Sequence, residues 1–438
     1  MFRFRSRGPR RPRVYRIPIE TYLIALAIAF ALSIAFSLLS VPKEIDYRLA
    51  HHFGVEEETF LPSAHALTNA SPVEGNRIRL LENGDAFFPA MLAAIARAQS
   101  SINLETYIFW SGQIAGRFRD ALSERARAGV EVRILLDAVG SGVKLSRDDV
   151  SAMRSAGCAV EFFHPLRPWM LDTINHRTHR RILVVDGRVG FTGGAGVADV
   201  WLGNAEKPGH WRDTLVEVVG PVVAQLQSAF QENWAAARGE LLSGERFFPR
   251  LEPAGHAFAQ VILSSPESPS SPTKLLYAVS ISSAMRRLWI SNSYFLPDAD
   301  ATALLVSAAR RGADVHILIP GKVNDVPLTR AGGRSSLGEL LAGGVKISEY
   351  GPTMFHAKTM VVDGVFATIG STNFDNRSFR LNDEINLTVY DREFGRRLEE
   401  MFVEDLARSR SYAYAQWRNR PLKQRLTEWL ILPFRGEL

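Results

Sequence analysis

The stretch FHAKTMVVDG, Phe355–Gly364, repeats a pattern that the chain already carries 177 residues earlier as THRRILVVDG, Thr178–Gly187. Each stretch contains a histidine, one variable residue, a long cationic side chain, four further residues and an aspartate. One such pattern in a chain of 438 residues would be a weak signal. Two copies predict a duplicated structural unit. The six motif residues, taken as the candidate catalytic set, are His179, Arg181, Asp186, His356, Lys358 and Asp363.

The sequence that precedes each motif is repeated as well. Apolar runs that begin at Ser101 and Arg286 predict strands, and each is followed by apolar residues at helical spacing. Both helical stretches end at a glycine, Gly129 or Gly312, which suits the left-handed backbone at a helix C-terminus. A second apolar run, VEVRILL or ADVHILI, then follows. This order predicts a parallel strand pair joined by a crossover helix in each half.

The fold class predicted by this duplication is α/β, with two tandem lobes related by a pseudo-two-fold axis and one N-terminal transmembrane helix. Two unrelated Rossmann-like pieces are the alternative, but neither half carries G-x-G-x-x-G after its first strand. The predicted parts are residues 1–45 (basic N-terminus and membrane anchor), 46–75 (loosely structured connector), 76–240 (lobe one), 241–256 (linker), 257–402 (lobe two) and 403–438 (basic amphipathic tail).

The anchor is predicted from Thr21–Val41, which contains 21 residues without a charge. At about 1.5 Å per residue, a helix of that length spans the roughly 30 Å hydrocarbon layer of a bilayer. A cleavable signal peptide is the alternative. It normally has an apolar region of only about 7–15 residues and a small-residue cleavage site, for which LSVPKEID offers no clear match. The preceding arginines predict a cytoplasmic N-terminus, with the body on the opposite face of a cell inner membrane.

The net charge of +6 is concentrated at the two ends of the chain. Seven arginines lie in the first sixteen residues, and residues 408–438 carry seven basic and two acidic side chains. Removing these net charges of seven and five leaves the body at −6. A basic groove is therefore not indicated and nucleic acid is not an expected partner, whereas the basic ends suit an anionic membrane surface. The single cysteine, Cys158, excludes an internal disulfide.

The motif spacing indicates which side chains share a face. Residues i and i+2 of a strand point to the same side. His179 with Arg181, and His356 with Lys358, would therefore each present an imidazole beside a fixed positive charge. The motif aspartates follow the histidines at the odd offset of seven, which points them away and favours a role in a turn or in packing.

Small residues follow each motif aspartate after seven positions. They read GGAG, Gly193–Gly196, and GSTN, Gly370–Asn373. Such residues would let a phosphate approach the backbone and its N–H, hydroxyl and amide donors. The candidate phosphate-binding residues are Gly193, Gly194, Ser371 and Asn373.

A doubled histidine motif has a chemical explanation. Cleaving a phosphodiester without a metal requires a nucleophile at phosphorus and an acid that protonates the departing alkoxide from the opposite side. Two histidines facing each other across a pseudo-two-fold axis supply both groups, and the arginine and lysine neutralise the phosphate oxygens. One histidine would form a covalent phosphohistidine, while the other acts as general acid and then as general base. No side-chain cluster has convincing metal spacing, so neither a metal nor another cofactor is expected.

The doubled motif with its GG and GS turns resembles the phospholipase D superfamily over roughly residues 76–400. NLETYIF, HWRDT, PTMFHAK and STNFDNRSF are most similar to bacterial cardiolipin synthases. The resemblance implies transfer of a phosphatidyl group from one membrane phospholipid to the headgroup hydroxyl of another, with phosphatidylglycerol-like donor and acceptor. It implies that His179 is the nucleophile and His356 the acid. It also implies that an acid downstream of each motif orients a catalytic histidine; the matching positions are Asp213 and Glu384, for which ordinary ion pairs are the alternative.

Two residues depart from the family pattern, and both lie in lobe one. Arg181 stands where the family normally has lysine, which keeps the charge but changes the geometry. Gly196 stands where an asparagine is expected, so lobe one lacks the amide that Asn373 supplies in lobe two. The assignment of nucleophile and acid therefore stays open at this point.

Other functions and roles also remain open from the sequence. A hydrolytic phospholipase D would use the same residues with water as acceptor, a phosphodiesterase would act on nucleic acid, and a membrane scaffold would keep the site without catalysis. Tyr107 and Tyr294 end the first strand of each half and either reach the cleft or pack in the core. The C-terminal stretch PLKQRLTEWLILPF forms either an interfacial helix on a bilayer or a helix packed on lobe two.

Overall fold

Strands form one mixed sheet within residues 53–165, 175–266 and 271–431, which are the residues that the computed structural model of the chain describes. The strands up to residue 240 are β1 (Val73–Glu82), β2 (Ser101–Thr106), β3 (Glu131–Asp137), β4 (Ala159–Phe163), β5 (Arg177–Thr178), β6 (Arg181–Val185), β7 (Val189–Gly193) and β8 (Thr214–Val219). The helices of the same stretch are α1 (Phe60–Thr68), α2 (Asn83–Ala96), α3 (Gln113–Arg127), α4 (Arg147–Ser155) and α5 (Val223–Arg238).

The second half of the chain contributes a matching set of elements. Its strands are β9 (Ala257–Ser264), β10 (Arg287–Asn292), β11 (Asp314–Pro320), β12 (Lys346–Tyr350), β13 (Lys358–Val362), β14 (Phe366–Gly370), β15 (Asn382–Tyr390) and β16 (Ser409–Ser411). Its helices are α6 (Pro272–Ser282), α7 (Ala299–Arg310), α8 (Pro327–Ala342), α9 (Asn376–Arg380), α10 (Arg392–Ala407), α11 (Tyr414–Arg418) and α12 (Leu422–Ile431).

The strand order repeats on the two sides of the sheet centre, where β1 pairs antiparallel with β9. On one side the order is β8-β7-β6-β2-β3-β4, and on the other it is β15-β14-β13-β10-β11-β12, with β16 added at the edge. The predicted β-α-β units are confirmed. β2 is parallel to β3 with α3 between them, and β10 is parallel to β11 with α7 between them. The chain therefore has a mixed α/β fold whose central strands are supplied by both halves.

Local sequence accounts for the crossover helices. In α3, Ile114, Phe118 and Leu122 recur every four residues and are all buried, which gives the helix one apolar face toward the sheet. The chain turns after α3 at Gly129, whose φ of +90° lies in the left-handed region that favours glycine. Helix α7 begins after Asp298, whose side chain accepts a hydrogen bond from the N–H of Ala301.

One apolar cluster joins the two halves of the sheet. It includes Val216 and Val218 from β8, Ile385 and Leu387 from β15, and Leu398 from α10, all nearly inaccessible to solvent. Burying one such side chain stabilises a fold by about 1.5–3 kcal/mol. The halves therefore share a core, and this core fixes the position of one motif relative to the other.

The structure differs from two details of the predicted division of the chain. The connector predicted at 46–75 is ordered in its described part, because α1 lies there and Phe60 packs edge-on against Phe366 with ring centroids 5.0 Å apart. Helix α1 has only nine residues, and its buried residue Phe60 packs against Phe366, which is far along the chain. The sequence of residues 60–68 therefore does not by itself indicate a packed helix. The predicted end of lobe two at 402 falls inside α10, which continues to Ala407 before β16 pairs with β12.

The predicted membrane anchor, Thr21–Val41, lies outside the described residues. The basic cluster that precedes it lies outside them as well. Among the residues that are described, no helix is long and apolar enough to cross a membrane.

Candidate active site

Strands β6 and β13 occupy corresponding places in the two halves, and a motif histidine stands two residues before each of them. Both imidazoles, those of His179 and His356, line one open cavity of about 420 Å³. Trp211, Tyr294 and Asn373 form part of the same wall. The shared core thus brings together two residues that are 177 positions apart in the sequence.

Each imidazole is held by a carboxylate from the opposite half of the chain. Nδ1 of His179 lies 2.8 Å and 3.0 Å from the two carboxylate oxygens of Glu384. Nδ1 of His356 lies 2.7 Å from Oδ2 of Asp213. The downstream acid of each motif therefore contacts the histidine of the other motif. A carboxylate on Nδ1 leaves Nε2 directed to the cavity and fixes the ring orientation.

The carboxylates are themselves anchored by hydrogen bonds. The indole N–H of Trp201 donates to Oδ2 of Asp213 at 2.9 Å, and the backbone N–H of Thr214 donates to Oδ1 at 2.8 Å. Glu384 accepts from the hydroxyl of Ser371. Asp213 and Glu384 are fully buried, so these hydrogen bonds limit the cost of removing the charges from water.

The motif cations lie beside the Nε2 atoms. Arg181 donates to Nε2 of His179 at 2.9 Å and also to the backbone oxygen of that residue. Nζ of Lys358 lies 3.1 Å from Nε2 of His356 and donates to the hydroxyl of Ser293 at 2.6 Å. Both positive charges are therefore placed where an anion would meet the imidazoles. No group of three metal-ligating side chains occurs in the described part of the chain.

The motif aspartates were included in the candidate catalytic set, but they do not line the cavity and lie in turns, as their odd offset from the histidines predicts. Asp186 accepts from the backbone N–H groups of Gln99, Ser100 and Ser101, at the start of β2. Asp363 does the same in the second half, accepting from the N–H groups of residues 285–287. Both have a φ of +53° in the turn after the motif strand. They tie that turn to the neighbouring strand at the far end from the histidines.

The small-residue turns also act differently from the prediction. A Cβ on Gly194 would lie 2.2 Å from Oδ1 of Asp213, so glycine is needed there to admit the carboxylate. The N–H of Gly194 is bonded to the backbone oxygen of Thr214, and Gly193 lies at the end of β7, paired with β8. Ser371 is fully buried and faces Glu384. Of the four candidate phosphate-binding residues, Asn373 lines the cavity.

Burial lowers the pKa of both imidazoles. The pKa of His179 falls to about 3 through burial and the charge of Arg181, although Glu384 acts in the opposite direction. The pKa of His356 falls to about 4 through burial and the charge of Lys358. Burial also lowers the pKa of Lys358 to about 7. At neutral pH both rings are therefore neutral, with Nδ1–H donated to a carboxylate and a lone pair on Nε2.

The two orienting carboxylates remain ionised. Burial alone would raise the pKa of Asp213, but the interaction with His356, the charge of Lys358 and the backbone N–H of Thr214 together lower it overall. The same balance, with His179 as the partner, lowers the pKa of Glu384.

Sequence comparisons place these residues in a known family. A family profile described as "Cardiolipin synthase, PLD-like domain" matches residues 91–234 and 277–406. A cardiolipin synthase of Geobacillus sp. (strain WCH70) is 38% identical over 378 residues, which is 86% of this chain and 75% of the relative. The chain belongs to the phospholipase D-like cardiolipin synthase family. The major cardiolipin synthase ClsA of Bacillus subtilis (strain 168) is 37% identical over 359 residues, covering 81% of this chain and 74% of that one.

A solved structure shares the family's fold. Phosphatidylserine synthase from Haemophilus influenzae Rd KW20 superposes with a TM-score of 0.64, covering 87% of this chain and 100% of that chain. The identity is only 14%, so the likeness concerns the fold alone.

The departures from the family pattern in lobe one form one local set. Thr106 pairs with Arg181, and Asn292 pairs with Lys358, so Tyr107 corresponds to Ser293. The predicted equivalence of Tyr107 and Tyr294 is therefore wrong by one residue. Lys358 contacts the hydroxyl of Ser293, whose oxygen lies 3.1 Å from the side-chain oxygen of Asn373. Arg181 instead lies with its guanidinium carbon 6.0 Å from the centre of the Tyr107 ring, and it lines a small cavity together with Gly196.

Sequence reasoning missed several residues of the cavity wall. Trp211 lies with its ring centroid 5.1 Å from that of His356. Asp325 also lines the cavity and accepts a hydrogen bond from the hydroxyl of Tyr294. Tyr294 itself, for which the sequence left the cleft or the core open, lies in the cavity wall with its ring edge-on to the same imidazole. The position of Trp211, two residues before a predicted orienting acid, was the one available signal. Asp325 lies in an irregular segment whose place in the fold is not encoded by a local pattern.

Proposed function

We propose that this chain is a phosphatidyltransferase of the cardiolipin synthase type, which moves a phosphatidyl group from one membrane phospholipid to the headgroup hydroxyl of another. One observation carries the proposal. The two motif imidazoles, each held by a carboxylate from the opposite half, line the same cavity. The family membership agrees with it, and phosphatidylglycerol-like lipids are the donor and acceptor proposed here.

In the first step, Nε2 of His179 attacks the phosphorus atom of the donor lipid. A P–N bond forms, the P–O bond to the glycerol headgroup breaks, and His356 gives a proton to the departing alkoxide. Glycerol leaves, and the phosphatidyl group remains on His179 as a phosphohistidine. In the second step, a headgroup hydroxyl of the acceptor gives its proton to His356 and attacks the same phosphorus. The P–N bond breaks, which releases cardiolipin and the neutral imidazole.

The cations of the site stabilise the phosphate in both steps. Arg181 and Lys358 lie within hydrogen-bond distance of the Nε2 atoms and therefore next to the proposed position of the phosphate oxygens. Asn373 adds an amide to the same wall. The first step needs His356 in its protonated form. The pKa of about 4 already includes the pairing with Asp213, so the added negative charge of a bound phosphodiester is what would raise it.

The larger architecture extends the proposal. The repeated strand order supports two lobes related by a pseudo-two-fold axis that passes between β1 and β9. The uncharged segment Thr21–Val41 would anchor the chain by a single pass in a cell inner membrane, with the N-terminus cytoplasmic and the body on the opposite face. An anchored body would remain next to its lipid substrates.

Product analysis tests the function. The full chain is incubated with phosphatidylglycerol, and cardiolipin with glycerol is the expected product pair. Phosphatidic acid in place of cardiolipin would instead identify a hydrolytic phospholipase D. His179→Ala and His356→Ala are each expected to abolish product formation. Unchanged cardiolipin formation by either variant would refute the two-histidine mechanism.

A further inference from the structure

Helix α12 presents its apolar side outward. Leu422, Leu426, Trp429 and Leu430, here called the outward face, share one side of the helix at helical spacing and are between 56% and 77% exposed. A surface helix of a soluble domain normally turns such residues toward the core. A cluster of exposed apolar side chains on a folded protein marks an interaction surface.

Polar contacts hold α12 in this orientation. Glu428, on the opposite face of the helix, is only 3% exposed and pairs with Arg420 at 2.7 Å. Ile431 is buried on the same side. Just ahead of α12, the indole N–H of Trp417 donates to the backbone oxygen of Arg334 in α8 at 2.8 Å. The orientation of the outward face is therefore set by the fold and is not that of a loose chain end.

The rim of the outward face is cationic. Lys423 and Arg425 flank it on its two sides and are exposed, and Arg418 is exposed at the end of α11. The acid within α12, Glu428, is buried and paired. Apolar residues bordered by exposed basic side chains match a surface that is apolar inside and anionic at its boundary, which is the arrangement of an acidic phospholipid bilayer.

Helix α8 connects the outward face to the catalytic cavity. Val326 and Thr329, at the start of α8, line that cavity. Pro327, from the same turn, lines a groove whose other wall includes Lys423 of α12. Leu328 is 56% exposed on this turn and adds a further apolar side chain. One turn of α8 thus contributes both to the wall of the active site and to the groove beside α12.

We propose that the outward face docks on an anionic phospholipid bilayer and holds the cavity against the lipid surface. This inference rests on the proposed function, because a lipid substrate has to pass its headgroup from the bilayer into the cavity while its acyl chains stay in the membrane. Docking would place the apolar side chains at the boundary of headgroups and acyl chains, with Lys423 and Arg425 among the phosphates.

The test offers phosphatidylglycerol to the full chain in two forms, as short-chain monomers in solution and as long-chain lipid in vesicles with phosphatidylcholine. The combined change Leu426→Ser and Trp429→Ser is expected to lower turnover on vesicles by more than about tenfold and to leave turnover of monomers within about twofold. The matched control, Leu241→Ser with Val403→Ser, removes apolar side chains that are 78% and 50% exposed elsewhere. It is expected to change neither rate.

The outcomes separate the two proposals. Equal effects of the double variant on both forms of substrate overturn the docking proposal and leave the proposed function intact. Failure of the unmodified chain to make cardiolipin from either form contradicts the proposed function itself.

Trp429 allows a second, direct measurement. In vesicles whose acyl chains carry bromine, the fluorescence of the full chain is expected to contain a quenched component that Trp429→Phe lacks. If the outward face is instead covered by a second copy or by the N-terminal segment of the chain, the bromine does not reach Trp429. Equal quenching of the unmodified chain and of Trp429→Phe would overturn the docking proposal.

Discussion

At the scale of single residues, the site depends on short contacts between ionisable groups from opposite halves of the chain. Glu384 and Asp213 each accept from the Nδ1 atom of a histidine, and both pairs are buried. In a buried site a carboxylate decides which imidazole nitrogen carries the proton. The Nε2 lone pair needed for attack at phosphorus therefore depends on a residue that does not touch the substrate.

Replacing either carboxylate by its amide tests this dependence. Asp213→Asn and Glu384→Gln keep the size of the side chain but remove the charge that favours the reactive tautomer. We expect each to lower kcat by about 10²–10⁴-fold with little effect on the unfolding midpoint. Steady-state kinetics with phosphatidylglycerol and a thermal unfolding curve would provide the two measurements. Glu217→Gln, which alters a surface pair with Arg79 in the same sheet, serves as the control.

The cations of the two halves are expected to differ in their tolerance of exchange. Lys358 is buried and donates to the hydroxyl of Ser293. The larger side chain of Lys358→Arg does not fit this buried position, so we expect kcat/KM to fall by more than about 100-fold. Arg181→Lys removes bulk while keeping the charge, and we expect it to retain activity within about tenfold. Adding Tyr107→Ser would give the new lysine a hydroxyl and should recover part of the loss. Equal losses of kcat/KM in Lys358→Arg and Arg181→Lys would contradict the expectation that the two cation positions differ in the side chains they tolerate.

At the scale of secondary-structure elements, the carboxylate of Asp213 occupies a narrow gap beside the end of β7. Strand β7 ends at Gly193, and β8 begins at Thr214, directly after Asp213. The two strands pair, so the residue after β7 lies against that carboxylate. A small residue at this point is a condition for the pairing of the carboxylate with a histidine of the other half.

Gly194→Ala tests the gap. The added Cβ would lie 2.2 Å from Oδ1 of Asp213, which forces the carboxylate or the strand to move. We expect a loss of about 1–3 kcal/mol in the free energy of unfolding and at least a tenfold loss of kcat. Urea unfolding and product assays would measure both. Gly116→Ala in α3, where an added Cβ would lie 3.9 Å from the guanidinium group of Arg119, should leave activity unchanged and raise stability by about 0.5–1 kcal/mol.

At the scale of the whole molecule, burial of the cavity makes stability depend on pH. His179 and His356 have pKa values of about 3 and about 4 in the fold, against an ordinary value of 6.5. Between about pH 4 and 6.5 the unfolded chain binds protons that the folded chain does not bind. The folded state therefore loses stability as the pH falls through this window, by at most about 1.4 kcal/mol per pH unit for each histidine.

The pH dependence is measurable by denaturant unfolding. We expect the free energy of unfolding to fall from pH 6.5 to pH 4 and to fall less steeply in a His179→Gln, His356→Gln double variant. The slope of the unfolding free energy against pH gives the number of protons taken up on unfolding, and this number should be smaller by about one to two in the double variant. Identical slopes for the two proteins would show that the imidazoles titrate normally in the folded state.

Much of the architecture follows from the sequence, because periodicity, glycine placement and motif spacing are local properties. The two β-α-β units and the placing of a histidine beside each cation were predicted from such patterns, and the structure has these arrangements. The ordered α1 was not predicted, because a nine-residue helix is too short to show a clear apolar periodicity. Its position depends on the contact of Phe60 with Phe366 in the second half of the chain. The one-residue shift between Tyr107 and Tyr294 was missed because strand register depends on pairing, which spacing alone does not determine.

By itself the sequence determined that a β-α-β unit is doubled, that each copy carries an imidazole beside a cation, and that two acids follow. Only the tertiary structure decided which acid contacts which imidazole, and that Asn373 lines the cavity whereas Gly193, Gly194 and Ser371 do not. The reason is distance along the chain. Asp213 and His356 are 143 residues apart, and His179 and Glu384 are 205 apart, so their pairing arises only when β1 and β9 join the halves into one sheet.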